Sequence, residues 1–175
     1  MDPHERMRFE RATLPHLNAA HNLARWLTRD DHAAEDVVQE AYYRAARYFN
    51  SFRGDEGRVW LLSVVRRVAF DWLAKQRAQS AAVFNEEFHD RGDESSNPEF
   101  RAIQKCDQES VRQAVEELSP PLREVIVLRE LEGLSYQEIA KVIEVPIGTV
   151  MSRLSRGRQQ LQQRLASPPE GAGTT

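Results

Sequence analysis

The sequence predicts an all-α chain, long enough for one large or two small domains, with a candidate interdomain linker that is acidic and flexible. Three observations point there. Apolar residues recur at helical spacing, and few segments alternate strictly between apolar and polar as a strand would. Residues 134–165, LSYQEIAKVIEVPIGTVMSRLSRGRQQLQQRL, read as two helices around a tight turn. Between residues 78 and 109 acids crowd around glycine, serine, asparagine and proline, the composition of a linker.

Residues 1–10 read as a ragged start. A helix is expected over 11–27, with Leu14, Leu17, Leu23, Trp26 and Leu27 apolar and Pro15 near its beginning. Thr28-Arg29-Asp30-Asp31 is a break with capping residues. Over 32–49 a second helix puts Val37, Val38, Ala41, Tyr42, Ala45, Tyr48 and Phe49 on the core side. Asp36, Gln39, Glu40, Tyr43 and Arg47 lie opposite. Alone that opposite face is an ordinary wet surface, although an aromatic among charges suits a protein interface.

Residues 50–57 (NSFRGDEG) form a loop. The helix expected over 58–76 buries Leu61, Val64, Val65, Val68 and Trp72. Arg66, Phe70, Leu73 and Arg77 cluster opposite, with Trp60 and Arg67 on an edge. From Gly57 to Arg77 there are five basic residues against one acid, Asp71. Arginine neutralises phosphate and a ring stacks on an unpaired base, so the pattern suits single-stranded DNA. The alternative is that Trp60 and Phe70 pack under the preceding loop or a neighbouring helix.

In the linker, Phe84, Phe88 and Phe100 offer docking points. Helices follow over 103–118 and 122–131, separated by Ser119-Pro120-Pro121; Val125, Ile126 and Leu128 can pack on what comes next. Ser135-Tyr136-Gln137-Glu138 is a capping box. Glu144-Val145-Pro146 breaks that helix, and Pro146 can open another. Its wheel places Ile147, Val150, Leu154, Leu161 and Leu165 on one side. Thr149, Ser152, Arg153, Arg156, Gln160 and Gln163 fall opposite, with no acid from Pro146 to Leu165. Arginine with Gln, Ser and Thr suits phosphates and base edges in a major groove, and the order of elements is that of a helix-turn-helix. Gly157 costs about 1 kcal/mol relative to alanine inside a helix and can serve a close approach. The tail after Ala166 reads as disordered.

A net charge of −3 argues against a uniformly basic coat, so DNA contacts must come from local patches. One cysteine, Cys106, allows no internal disulfide and fits a cytosolic protein; a lone helical cysteine is usually a passive apolar residue. There is no long apolar run for a membrane span, no phosphate-binding glycine loop, no zinc spacing and no nucleophile–base set. Neither a cofactor, a metal nor a catalytic residue is therefore expected.

Together the motifs resemble a bacterial sigma factor of the extracytoplasmic-function (ECF) group. The match rests on Asp36-Val37-Val38-Gln39-Glu40-Ala41-Tyr42, Trp60-Leu61-Leu62 with its basic helix, Asn97-Pro98-Glu99, and Leu118-Ser119-Pro120 with Arg123. It continues through Tyr136-Gln137-Glu138-Ile139-Ala140 and Gly148-Thr149-Val150-Met151-Ser152-Arg153-Leu154. The resemblance implies a region-two-like domain over 11–77, a linker over 78–109 and a region-four-like domain over 110–166. It implies that Asp36, Gln39, Glu40, Tyr43 and Arg47 dock on the β′ clamp helices of core RNA polymerase. Arg53, Trp60, Arg66, Arg67, Phe70 and Arg77 would serve the minus-10 element and its opened strand. Thr149, Met151, Ser152, Arg153, Arg156 and Gln160 would read the minus-35 element while the second domain sits on the β flap. The linker would thread toward the active-site cleft, and an anti-sigma factor is an expected partner. Arg67, Met151, Ser155 and Gly157 depart from common family residues, which bears on promoter preference. Two other readings stay open: a helix-turn-helix repressor, and a sigma-like mimic that binds an anti-sigma factor.

Overall fold

The computed structural model describes residues 1–83 and 103–166, with side chains given for 1–81 and 108–166. Phe84, Phe88, Phe100, Asn97-Pro98-Glu99 and the tail lie outside the described residues, as does the side chain of Cys106. The described residues are helical, without a strand. The helices are α1 (Pro3–Thr13), α2 (Leu17–Thr28), α3 (Asp31–Arg47), α4 (Gly57–Val83), α5 (Ile103–Glu116), α6 (Pro120–Ile126), α7 (Tyr136–Ile143) and α8 (Ile147–Ala166). Thus α4 and α5 reach into both ends of the stretch expected to link the domains.

The ragged start is instead a helix. Asp2 caps it, accepting from the Glu5 amide at 2.8 Å, and Pro3 occupies the first turn. Pro15 lies not in the first turn of one long helix but in a 3-10 turn, Leu14–His16, between α1 and α2. That turn rotates Leu14 and Leu17 outward, so both are exposed, contrary to expectation. The buried stripe of α2 is Ala20, Leu23, Ala24 and Leu27, a strict helical repeat. Its two alanines let α3 and α4 approach closely. Arg29 ends α2 in the left-handed conformation and Asp30 caps α3, accepting from the Ala33 amide at 2.8 Å.

On α3 the expected core residues are buried or half-buried except Tyr48, which follows the last turn and is exposed. Helix α4 is the axis of the molecule. It packs on α1, α2 and α3, and α7 lies across it from the other half. Hence Leu61, Leu62, Val65, Val68 and Ala69 are buried, on more than one side of the helix, while Val64 and Trp72 are only half-buried. The buried apolar residues of both halves form one contiguous core.

In the second half, α6 is continued by a π-helical turn, Val127–Leu131. Arg123 points inward: its guanidinium donates to the carbonyls of Leu118 at 2.9 Å and, across the halves, of Leu27 at 3.1 Å. Burial, with Arg29 nearby, lowers its pKa to about 10. The capping box of α7 is complete: the Glu138 amide donates to Ser135 Oγ at 3.1 Å, and Glu138 Oε2 accepts from the Ser135 amide at 2.7 Å. That second bond holds the Glu138 carboxyl below the ordinary range. A depressed carboxylate stabilises the fold above its unfolded pKa, and this contribution is lost as the pH falls through the folded value. Ser135→Ala is expected to cost about 1 kcal/mol in denaturant unfolding.

On α8, Val150 and Leu154 are buried, but Ile147 and Leu165 at the helix ends are exposed rather than core. Gly157 is buried against α6; a Cβ there would meet Ile126 Cγ1 at 3.0 Å. Close approach is therefore its role.

Candidate nucleic-acid interface

The minus-10 candidates begin at an aromatic cluster. Phe49 and Phe52 stack at 5.7 Å between centroids, and Trp60 tilts onto Phe52 at 4.8 Å. Phe9 of α1 closes the cluster, edge-on to Phe49 at 5.4 Å. Trp60 thus packs under the preceding loop and remains half-buried, lining a shallow pocket with Phe52, Arg53 and Ser63. Arg53 is exposed at its rim. Two turns along α4, the Arg66 guanidinium lies over the Phe70 ring at 4.4 Å. Arg67 is exposed beside it, and Arg77 is exposed toward the end of the helix.

Two of these arginines, Arg66 and Arg67, are engaged from the other half. Arg66 donates in a fork to Glu124 of α6, Nε to Oε2 at 2.8 Å and Nη2 to Oε1 at 3.1 Å. Arg67 pairs with Glu144 in the turn between α7 and α8. Lys141 of α7 bonds Glu56, at the mouth of the shallow pocket, at 2.8 Å. Arg58 donates to the Glu132 carbonyl at 3.4 Å and lies 3.6 Å from Glu138.

On α8 the minus-35 candidates divide. Met151, Ser152, Arg156 and Gln160 are exposed, and Thr149 is half-buried. Arg153 is half-buried and turned toward Glu124, 3.8 Å away. The Glu124 side chain is fully buried, and burial pushes its carboxyl up against the opposing pull of Arg66 and Arg153.

On α3 the five polymerase-docking candidates, Asp36, Gln39, Glu40, Tyr43 and Arg47, are all exposed. Arg44 braces them, donating to Glu40 at 2.6 Å and to Asp71 of α4 at 3.2 Å. Sequence reasoning missed Glu124, Glu144, Lys141 and Glu56. The one available signal was Glu124 itself, an acid immediately before the apolar run Val125–Leu128.

Two family models match the chain. "Sigma-70 region 2" matches residues 14–79, and "Sigma-70, region 4" matches residues 108–161. The ECF RNA polymerase sigma-E factor of Escherichia coli K12 is 39% identical over 138 residues, covering 74% of this chain and 72% of the relative. The chain belongs to the ECF sigma factors. It is an alternative sigma factor, and the sigma factor SigE of Mycolicibacterium smegmatis is a further relative at 31% identity, covering 86% of this chain and 59% of that protein. Among solved structures, the sigma factor RpoE of Bartonella quintana, in complex with the anti-sigma factor NepR, has a TM-score of 0.67. It is 28% identical and covers 87% of this chain and 92% of that one. CnrH, in complex with the cytosolic domain of CnrY, shares the fold with a TM-score of 0.63 at 23% identity, covering 91% and 88%. Among the described residues of this ECF sigma factor, no helix is long and apolar enough to cross a membrane.

Proposed function

We propose that this sigma factor starts transcription in the cytoplasm through three separate faces, without catalysing a reaction of its own. Residues 11–77 form the unit that joins core polymerase and the minus-10 element. Residues 110–166 form the minus-35 unit, seated on the β flap. Asp36, Gln39, Glu40, Tyr43 and Arg47 dock on the β′ clamp helices. Arg53, Trp60, Arg66, Arg67, Phe70 and Arg77 hold the opened minus-10 strand, the rings stacking on unpaired bases and the arginines meeting phosphates. Thr149, Met151, Ser152, Arg153, Arg156 and Gln160 read the minus-35 element.

The observation that carries this reading is α8. It has no acid, and Ser152, Arg156 and Gln160 share one solvent-facing side. A helix carrying positive charge and adaptable donors on one open face fits a major groove. Arg156→Ala is expected to weaken binding to minus-35 duplex by about 1–3 kcal/mol while leaving binding to core polymerase unchanged. Fluorescence anisotropy with duplex and with polymerase reads both; equal losses in the two would refute the separation of faces. An anti-sigma factor that covers these faces is the proposed regulator, supported by the relative from Bartonella quintana being bound to one.

A further inference from the structure

Helix α1 precedes the segment matched by the region 2 family model, which begins at residue 14. It is nevertheless firmly seated. Phe9 packs edge-on to Phe49 and to Tyr42, and the Tyr42 hydroxyl donates to the Thr13 carbonyl at 2.9 Å. The backbone of Ala12 crosses Gly57 so closely that a Cβ on Gly57 would collide with it. Phe9, Ala12 and Thr13 thus take the inner side of α1. His4, Arg8 and Arg11, spaced four and three residues apart, share one exposed side.

The charge on that side is not neutralised within the fold. Arg6 pairs with Glu10 at 3.0 Å on the opposite flank. Among the described residues, neither Arg8 nor Arg11 meets a carboxylate. The Arg8 guanidinium lies 5.5 Å from the Phe49 ring centre, and that ring lies 5.9 Å from Trp60. Arg8 is therefore within about 12 Å of Trp60, the reach of three or four nucleotides at about 3.4 Å each. The direction also fits. Helix α1 crosses α4 at its first residue, Gly57, whereas Arg66, Phe70 and Arg77 follow Trp60 the other way. A strand laid along those residues and continued past Trp60 meets α1.

We propose that α1 extends the single-strand surface, with Arg8 and Arg11 holding phosphates of the opened strand just beyond the minus-10 element. This rests on the assignment of Trp60 and its neighbours to that strand. A guanidinium lying on a ring keeps its N–H edge free, so Arg8 can cover Phe49 and still donate to a phosphate. Shielding Phe49 would account for Arg8 alone, since Arg11 covers no ring. Phosphate contacts carry no base preference. They add affinity for opened DNA of any sequence and leave promoter choice to the other two DNA faces.

The test uses the full chain bound to core polymerase and two labelled single-stranded oligonucleotides. One holds the minus-10 element alone; the other continues about five nucleotides past each end, enough to reach Arg8. Arg8→Gln with Arg11→Gln should weaken binding of the longer strand about tenfold and leave the shorter one unchanged. The slope of log K against log salt for the longer strand should become shallower by ~1.4, two contacts at ~0.7 each. Arg8→Lys with Arg11→Lys keeps both charges and should restore the slope. Arg11→Gln alone leaves the Phe49 contact intact and should give half the change, which separates lost phosphate contact from a loosened helix. An unchanged slope, or an equal loss on both strands, would overturn the role of α1. Trp60→Ala tests the underlying assignment. If it weakens both strands while the α1 variant weakens neither, the α1 role alone is refuted. If it weakens neither strand, the minus-10 assignment fails and the proposal falls with it.

Discussion

Glu40→Lys is expected to reduce affinity for core RNA polymerase by more than about tenfold, and Tyr43→Ala to do the same. Both residues lie on the exposed side of α3, flanked by Asp36, Gln39 and Arg47. A tyrosine exposed to 61% among charges has little to do for the fold, so its loss should act on binding. Glu40→Lys sets a second cation beside Arg44, which now pairs with Glu40 and Asp71. That local repulsion is at the surface, where such pairs contribute about 0–1 kcal/mol. Thermal unfolding should therefore shift little while polymerase binding, followed by analytical gel filtration or interferometry, is lost. Binding to minus-35 duplex should be unchanged. The opposite pattern, stability lost and polymerase binding kept, would remove α3 from the docking face.

The largest effect on stability is expected at Gly57→Ala. Gly57 opens α4 where α1 crosses it, and a Cβ there would stand 2.2 Å from the Ala12 carbonyl oxygen and 3.0 Å from its carbon. The obstacle is backbone, which cannot rotate away as a side chain can. Either α1 lifts or α4 starts later, and each exposes the Phe9–Phe49 contact. The expected cost is about 3 kcal/mol, a drop of roughly 6–12 °C in Tm for a chain of this size. Gly148→Ala is the control. Nothing lies within 4 Å of its Cβ position in the first turn of α8, so stability should hold or rise slightly. Equal Tm values for the two variants would mean that α1 is not seated on Gly57.

Local signals explain why much of the fold could be read from the sequence. The α7 capping box is written within four residues, Ser135 to Glu138, and both of its hydrogen bonds form. The periodic apolar residues of α3 and the Glu144-Val145-Pro146 break depend only on neighbours, so they were legible too. What the sequence hid depends on residues far apart. Both the Trp60 side and the Arg66 side of α4 are half-buried because loop 50–57 covers one and the second half covers the other. Arg66 and Glu124 are 58 positions apart, and no periodicity links them. The start was misread for a different reason. Asp2-Pro3 is a sound helix opening, but Phe9 is one of few apolar residues behind it, so tertiary packing rather than pattern makes α1 a helix. Helix ends misled in the other direction: Ile147, Leu165 and Tyr48 follow the apolar pattern but are exposed there.

As proposed above, this ECF sigma factor directs core polymerase to promoters through two DNA-reading faces. Run-off transcription on a library of promoter fragments, with core polymerase alone and with the protein added, tests it most directly. Discrete new transcripts are expected only when the protein is present. Each start site should share one element near minus-35 that Arg156→Ala weakens, and one near minus-10 that Arg66→Ala weakens. Specific binding to duplex DNA without polymerase, with no new transcript when polymerase is supplied, would contradict it.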